Sequence, residues 1–196
     1  MVSRETLTRR FADALHEANK RTNLVSRKLT RPDVRAIVAS FSDTLEVARV
    51  GAVEGLLDIG SGAGLPGIPL AIGYPRTHVV LAESRKLRIE WLRTIVPELG
   101  LENTSILPGR VERYSELEAA FPVVTAFGVG PPAEIIPLAA RYLTPGGVAV
   151  LSAPAEPTRQ DESSWLLAAA IHDSRVEHVP NALHGGRALL LVRTQP

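Results

Sequence analysis

The sequence predicts an α/β fold: a mostly parallel seven-stranded sheet with helices on both faces, preceded by an N-terminal helical extension. Three observations carry this reading. Apolar runs at about 55–59, 78–82, 104–107, 122–126 and 147–152 alternate with helical patterns at about 65–73, 85–99 and 133–143. Strands and helices alternating at those lengths imply parallel βαβ units. The first apolar run ends in an acid and a glycine-spaced turn, as the first strand of a doubly wound sheet does at its ligand crevice. After the fifth strand, residues 163–171 look helical, and 175–179 with 187–193 look like a closing strand pair.

Ahead of the alternation, Leu7, Phe11, Ala14, Leu15 and Ala18 recur at helical spacing, which predicts an amphipathic helix over about 5–20. Thr30-Arg31-Pro32-Asp33 reads as a helix start, with Thr30 as N-cap and Asp33 at the positive end. The helix it opens carries Val34, Ile37, Val38, Phe41 and Leu45 and is expected to run to about Val50. Pro145-Gly146-Gly147 reads as a turn introducing the fifth strand, and residues 153–158 as a mobile loop. The whole of 1–196 is expected to form one domain, with 1–50 a basic helical extension and 51–196 the doubly wound core.

Composition bounds the function. A chain of 196 residues with 45% apolar content can build one sizeable core. No apolar run reaches the roughly 18 residues of a membrane helix, and Met1-Val2-Ser3-Arg4 begins no secretory signal. The absence of cysteine excludes a disulfide framework, a thiolate metal site and a cysteine nucleophile, and it fits a cytoplasmic location. The five histidines are dispersed and match no metal-ligand spacing, so no metal is expected. Residues 1–50 carry ten Lys/Arg against six Asp/Glu, whereas 51–196 carry twelve against fifteen. Arg9, Arg10, Lys20, Arg21, Arg27, Lys28, Arg31 and Arg35 contribute to that basic lobe, which suits a phosphate backbone.

The glycine loop narrows the ligand. Glycines fall at 60, 62 and 64, giving G-x-G-x-G two residues after Asp58. A dinucleotide fingerprint would need glycine at 65, where the chain has Leu65. The leading acid also fits badly with a pyrophosphate at the same helix N-terminus. It suits a cationic or zwitterionic ligand, and S-adenosylmethionine, with sulfonium and amino groups, is the candidate. Glu83 ends the next strand 25 residues later, where an acid meets the two ribose hydroxyls of an adenosine. The third strand runs into Gly109-Arg110-Val111-Glu112, where an adenine ring can lie on Val111 with Glu112 or a backbone amide at its edge. The fourth delivers Phe127-Gly128-Val129-Gly130 to the same rim, bordering cofactor and substrate.

Five segments resemble the ribosomal RNA small subunit methyltransferase G family, also called glucose-inhibited division protein B. They are Asn19-Lys20-Arg21-Thr22-Asn23-Leu24, Ser40-Phe41-Ser42-Asp43-Thr44-Leu45, the loop at 58–69 with its Leu65-Pro66-Gly67-Ile68-Pro69 tail, the pair Glu83-Ser84-Arg85-Lys86 and Gly109-Arg110-Val111-Glu112, and the closing Gly186-Arg187. The resemblance implies a Rossmann-like class I methyltransferase, dependent on S-adenosyl-L-methionine, acting on N7 of a guanine in 16S rRNA. Its partner would be 16S rRNA or the 30S subunit, with the protein a monomer in the cytoplasm and no membrane partner. Carried over, Gly60, Leu65, Val111 and Glu112 would contact the cofactor with Glu83 on its ribose, and Asp58, Gly62 and Gly64 complete the loop. Asn23, Asp43, Phe127 and Arg187 become the candidates facing the substrate, with no catalytic acid or base implied.

The chain departs from the family at three of those positions. The strand-four motif Ser-Arg-Ala reads Ala126-Phe127-Gly128, the Lys-Gly pair after the glycine turn reads Ala153-Pro154, and a histidine is replaced by Ser40. Each lost polar contact to RNA is worth on the order of 1–3 kcal/mol. Phe127 either packs at the rim or stacks on an unstacked base. The sequence therefore also admits a cofactor-binding paralogue that has lost or changed its RNA substrate, and a methyltransferase for another RNA position or a small molecule.

Overall fold

The computed structural model describes residues 2–51, 53–183 and 187–195, with only the backbone described at 181–183 and 187. Seven strands form one sheet: β1 (Gly55–Ile59), β2 (His78–Glu83), β3 (Thr104–Pro108), β4 (Phe121–Ala126), β5 (Leu143–Ala153), β6 (Ser174–Leu183) and β7 (Arg187–Thr194). Their order is β3-β2-β1-β4-β5-β7-β6. The first five are parallel, and β7 pairs antiparallel with both β5 and β6. The chain reverses direction across the sheet between β1 and β4, and ligands of open α/β sheets bind outside the strand ends at such a switch point.

Alternation along each strand divides the interior into two cores. Leu56, Val79, Leu81, Val123, Val150 and Leu189 point to one face. Leu57, Ala82, Val124, Ala149, Leu190 and Val192 point to the other. Successive strand residues must do this, because Cβ vectors alternate. The first face is covered by α4 (Gly67–Gly73) and α5 (Lys86–Glu98) together with α1 (Arg4–Asn19), α2 (Arg31–Phe41) and α3 (Thr44–Val47). The second is covered by α6 (Pro132–Tyr142) and α7 (Arg159–Ala170). Phe11 and Leu15 of α1 and Val38 of α2 are fully buried with Ile68 and Leu70 of α4, so the basic N-terminal segment shares the core of the sheet.

Local signals fall where the side chains demand them. Thr30 caps α2 through a reciprocal box with Asp33, which satisfies two otherwise orphaned N–H groups. Three expectations shift. The helix expected to reach Val50 stops at Phe41, and the chain turns at Ser42 and Asp43 before α3. That turn lets both Phe41 and Leu45 bury in the same core. The helix expected from 65 starts at Gly67, because the glycine turn extends through Pro66. Pro145-Gly146-Gly147 lies inside β5, which begins at Leu143. Its pairing with β4 slips between Phe121 and Val123, and Gly146 takes φ +74° there. The segment expected to be a loop at 153–158 links β5 to α7, with His178 Nε2 hydrogen-bonded to the Pro154 carbonyl at 3.0 Å.

Candidate functional site

The turn after β1 is tied down from four sides. Ser61 Oγ donates to the Asp58 carbonyl (2.9 Å), and the Ser61 amide to Ala82 O of β2 (3.0 Å). Trp91 Nε1 of α5 donates to Ala63 O (2.9 Å), and the Gly62 amide donates to Glu83 Oε2 (2.8 Å). Gly60, Gly62 and Gly64 all have positive φ, a region that costs L-residues with side chains strain. Gly67 is required for a different reason. A Cβ there would lie 2.3 Å from Leu81 Cδ2 and 2.7 Å from Asp58 Oδ2, so α4 can start this close to the strands only without one.

Asp58 is fully buried on the α4 face of the sheet. Its Oδ1 accepts from Thr125 Oγ1 (2.7 Å), the residue beside it in the β1–β4 register, and Oδ2 accepts from the Gly67 amide (3.2 Å). Burial pushes its pKa up to about 7 against the lowering effect of the Thr125, Ser61 and Gly67 hydrogen bonds, and the charge of Glu83 adds to the rise. The sequence reading set this carboxylate against the ligand. The structure turns it inward, where it joins β1, β4 and the start of α4 beneath the loop.

Glu83 is also buried, at 3% exposure. Its Oε1 accepts from the Ser84 and Arg85 amides (2.7 Å each), and Oε2 from Gly62. A carboxylate has about four acceptor positions, so about one remains, where the sequence reading gave it two hydroxyl partners. Arg88 Nη1 stands 3.8 Å from Oε2.

Two cavities open on the loop and share Gly60 as a wall. The smaller, about 90 Å³, is lined by Gly60, Ala82, Ser84, Val111, Glu112 and Leu138, among others. It lies at the ends of β2 and β3, and it brings together the expected residues Val111 and Glu112. The larger, about 280 Å³, is lined by Gly60, Gly62, Leu65, Phe41, Phe127 and Arg88, among others. Its roof is the segment after α1, through Leu24, Val25 and Ser26. Asn19 fixes that roof: its Oδ1 accepts from the Leu24 and Val25 amides (2.9 and 3.0 Å). Gly64, Asp58 and Glu83 line neither cavity.

The substrate-side candidates separate. Phe127 borders the larger cavity and meets Phe41 edge to face, with ring centroids 5.2 Å apart. Asn23 is exposed beside the roof and lines neither cavity. Asp43 is exposed on the far side of α2, 3.6 Å from Arg4 Nη2. Arg187 begins β7, but its side chain and Gly186 lie outside the described residues. Ser40 donates to its own helix at Ile37 O. Sequence reasoning missed Arg88, and it had Asn19 only as part of a family motif, with no role given to it. Arg88 was legible only as the third residue of a helix following Glu83, and Asn19 as a polar residue on an otherwise apolar helix face.

Several of the basic residues in 1–50 are neutralised. Lys20 and Arg31 pair with Glu17, and Arg35 pairs with Asp13 in a bidentate bridge. Arg10, Arg21, Arg27 and Lys28 are exposed and hold no salt bridge among the described residues. Arg27 and Lys28 directly follow the cavity roof.

The profile of the family described as GidB, rRNA small subunit methyltransferase G, matches residues 4–187. The chain belongs to this family. Among curated relatives, the ribosomal RNA small subunit methyltransferase G of Chlorobaculum tepidum is 40% identical over 148 residues, covering 74% of this chain and 66% of that protein. The one of Salmonella agona is 39% identical over 110 residues, covering 56% and 52%. The matched stretch therefore spans about half to two thirds of these relatives. Solved structures share the fold at lower identity. An O-methyltransferase from Bacillus cereus in complex with SAH superposes with a TM-score of 0.67 at 14% identity, covering 95% of this chain and 91% of that one. The O-methyltransferase TomG from Streptomyces achromogenes, in complex with SAM, gives 0.66 at 18%, covering 96% and 90%. This chain thus has the doubly wound sheet the sequence predicts. Among the described residues, no helix is long and apolar enough to cross a membrane.

Proposed function

We propose that this chain is an S-adenosylmethionine-dependent methyltransferase acting on N7 of a guanine in 16S rRNA, in the cytoplasm. The family match across residues 4–187 carries the reading, because it includes both the glycine loop and the segment that roofs the larger cavity. The residues present fit the cofactor. Two cavities on either side of Gly60 suit a ligand with a nucleoside at one end and an amino acid at the other. Val111 and Glu112 would hold the base, Glu83 one ribose hydroxyl through its remaining acceptor position, and Gly60, Gly62 and Leu65 the remainder. When bound, the cofactor supplies an electrophilic methyl group on a sulfonium.

Guanine N7 presents a lone pair and carries no proton, so the site needs no general base. Among the described residues lining the larger cavity there is no carboxylate or imidazole to act as one. The chain's contribution is orientation and exclusion of water, which can supply several kcal/mol of a barrier. Phe41, Phe127, Leu24 and Leu65 make the walls apolar, and an apolar wall does not oppose a reaction in which positive charge leaves sulfur. Exposed Arg10, Arg21, Arg27 and Lys28 would hold the RNA backbone without reading sequence.

The test uses radiolabelled cofactor with 30S subunits and with deproteinised 16S RNA from a host lacking this modification. Label that maps to a guanine cleaved under N7-methylguanine chemistry is the expected result. Cofactor binding without label in either RNA overturns the substrate assignment.

A further inference from the structure

Arg88 is the one charged side chain among the described residues lining the larger cavity. It is the third residue of α5, and helical side chains lean toward the helix N-terminus, so its guanidinium is carried back over the glycine loop. The fit is close: a Cβ added at Gly62 would stand 3.3 Å from Arg88 Nη1. The side chain is 28% exposed, and its one ionic neighbour is Glu83 Oε2 at 3.8 Å, beyond hydrogen-bond distance. Glu83 is already held by three backbone amides. Among the described residues, none of the five N–H donors of Arg88 has an acceptor. A guanidinium facing a cavity with unused donors is a binding site for a carboxylate or phosphate.

The surroundings favour a carboxylate. The cavity lies on the glycine loop, at the end that the cofactor reading gives to the amino acid, and its other lining side chains carry no charge, so one cation meets one carboxylate. Phe127 occupies the position where the family motif carries arginine, so the opposite wall offers no cation. We propose that Arg88 anchors the carboxylate of the cofactor's amino-acid end and so supplies the anion contact that Phe127 cannot make. This rests on the cofactor reading above and goes beyond it by naming the residue and the ligand group.

Ligand truncation separates this role from its competitors. S-Adenosylhomocysteine carries the carboxylate, whereas 5′-methylthioadenosine has the same nucleoside and thioether and no amino-acid end. Calorimetric titration of Arg88→Met should weaken S-adenosylhomocysteine by about 10–100-fold relative to the unmodified chain, as loss of a charge-assisted pair does. Methylthioadenosine affinity should change less than about twofold, the experimental scatter of such titrations, about 0.4 kcal/mol. Arg88→Lys, which keeps the charge but loses the fork, should fall between the two, and it serves as the test if the Met variant does not fold. Equal weakening of both ligands would mean that Arg88 acts only through Glu83 on the ribose, and would overturn the proposal. Unchanged affinity for both, with a raised KM for RNA, would assign the guanidinium to a phosphate and overturn it equally. If neither ligand binds the unmodified chain, the cofactor reading itself fails, an outcome distinct from all of these.

Discussion

The two cavities on either side of Gly60 are built by different rules. In the glycine loop that walls both, the polar atoms are committed inward: Asp58 to Thr125 and Gly67, Glu83 to three amides, Ser61 to two carbonyls. The larger one is lined mostly by apolar side chains, with one guanidinium, Arg88, whose donors have no acceptor among the described residues. The first region is specified by backbone geometry, so substitution there breaks the fold as well as the site. The second is specified by shape and charge, and can change while the scaffold stands. Phe127 sits in the second region, and this is why the loop and the substrate rim can diverge independently.

The largest expected effect probes the inward commitment of Asp58. Its folded pKa of about 7 lies above the ordinary 3.8, so the native state keeps a proton that the unfolded chain has lost between those values. Stability from this group is therefore complete below about pH 4 and lost as pH rises to about 7, at about 1.4 kcal/mol per unit or on the order of 4 kcal/mol in all. Asp58→Asn removes that titration while still offering one acceptor and one donor to Gly67 and Thr125. Urea denaturation at pH 4 to 8 should show the variant gaining on the unmodified chain up to about pH 7 and running parallel above it. A difference independent of pH would show that Asp58 is ionised throughout.

A smaller loss is expected for Gly67→Ala. The added methyl meets Leu81 and Asp58, and overpacking of this kind costs about 1–3 kcal/mol. Alanine recovers up to about 1 kcal/mol of helix propensity, so the net loss should be about 1–2 kcal/mol, with a parallel loss of cofactor affinity as the Gly67–Asp58 bond opens. Thermal unfolding with and without S-adenosylhomocysteine measures both. A neutral or stabilising result would show that α4 can slide away from the sheet.

On the other side, Phe127→Arg should cost only about 1 kcal/mol, the worth of its edge-to-face contact with Phe41. It should steepen the salt dependence of RNA binding by about 0.7 in log–log slope, the value for one added phosphate contact on a single strand. An unchanged slope would mean that the rim does not face the RNA backbone.

How far the sequence reveals each region follows from the same contrast. Leu56 and Leu57, Val79 and Leu81, and Val123 and Val124 show the sheet, because period-2 burial is written in adjacent residues. Thr30 with Asp33 shows its helix start for the same local reason. The glycine spacing shows the loop. What stayed hidden depends on partners far away in the chain. Nothing near Asp58 tells that Thr125 will take up its carboxylate, or that Phe127 will meet Phe41 across 86 residues. Arg88 is unremarkable until the fold sets Gly62 against it. The break of α2 at Ser42 was equally hidden, since both Phe41 and Leu45 satisfy a helical period and only packing requires the turn between them.

The hold of Asn19 on the Leu24 and Val25 amides has a kinetic consequence. The roof of the larger cavity is fastened by a side chain of α1, and α1 is rooted in the core through Phe11 and Leu15. Breathing of that roof therefore requires two hydrogen bonds to break together at a residue only 7% exposed. The amide protons of Leu24 and Val25 are therefore where any opening of that roof is read in hydrogen exchange, as protection that falls when Asn19 is replaced.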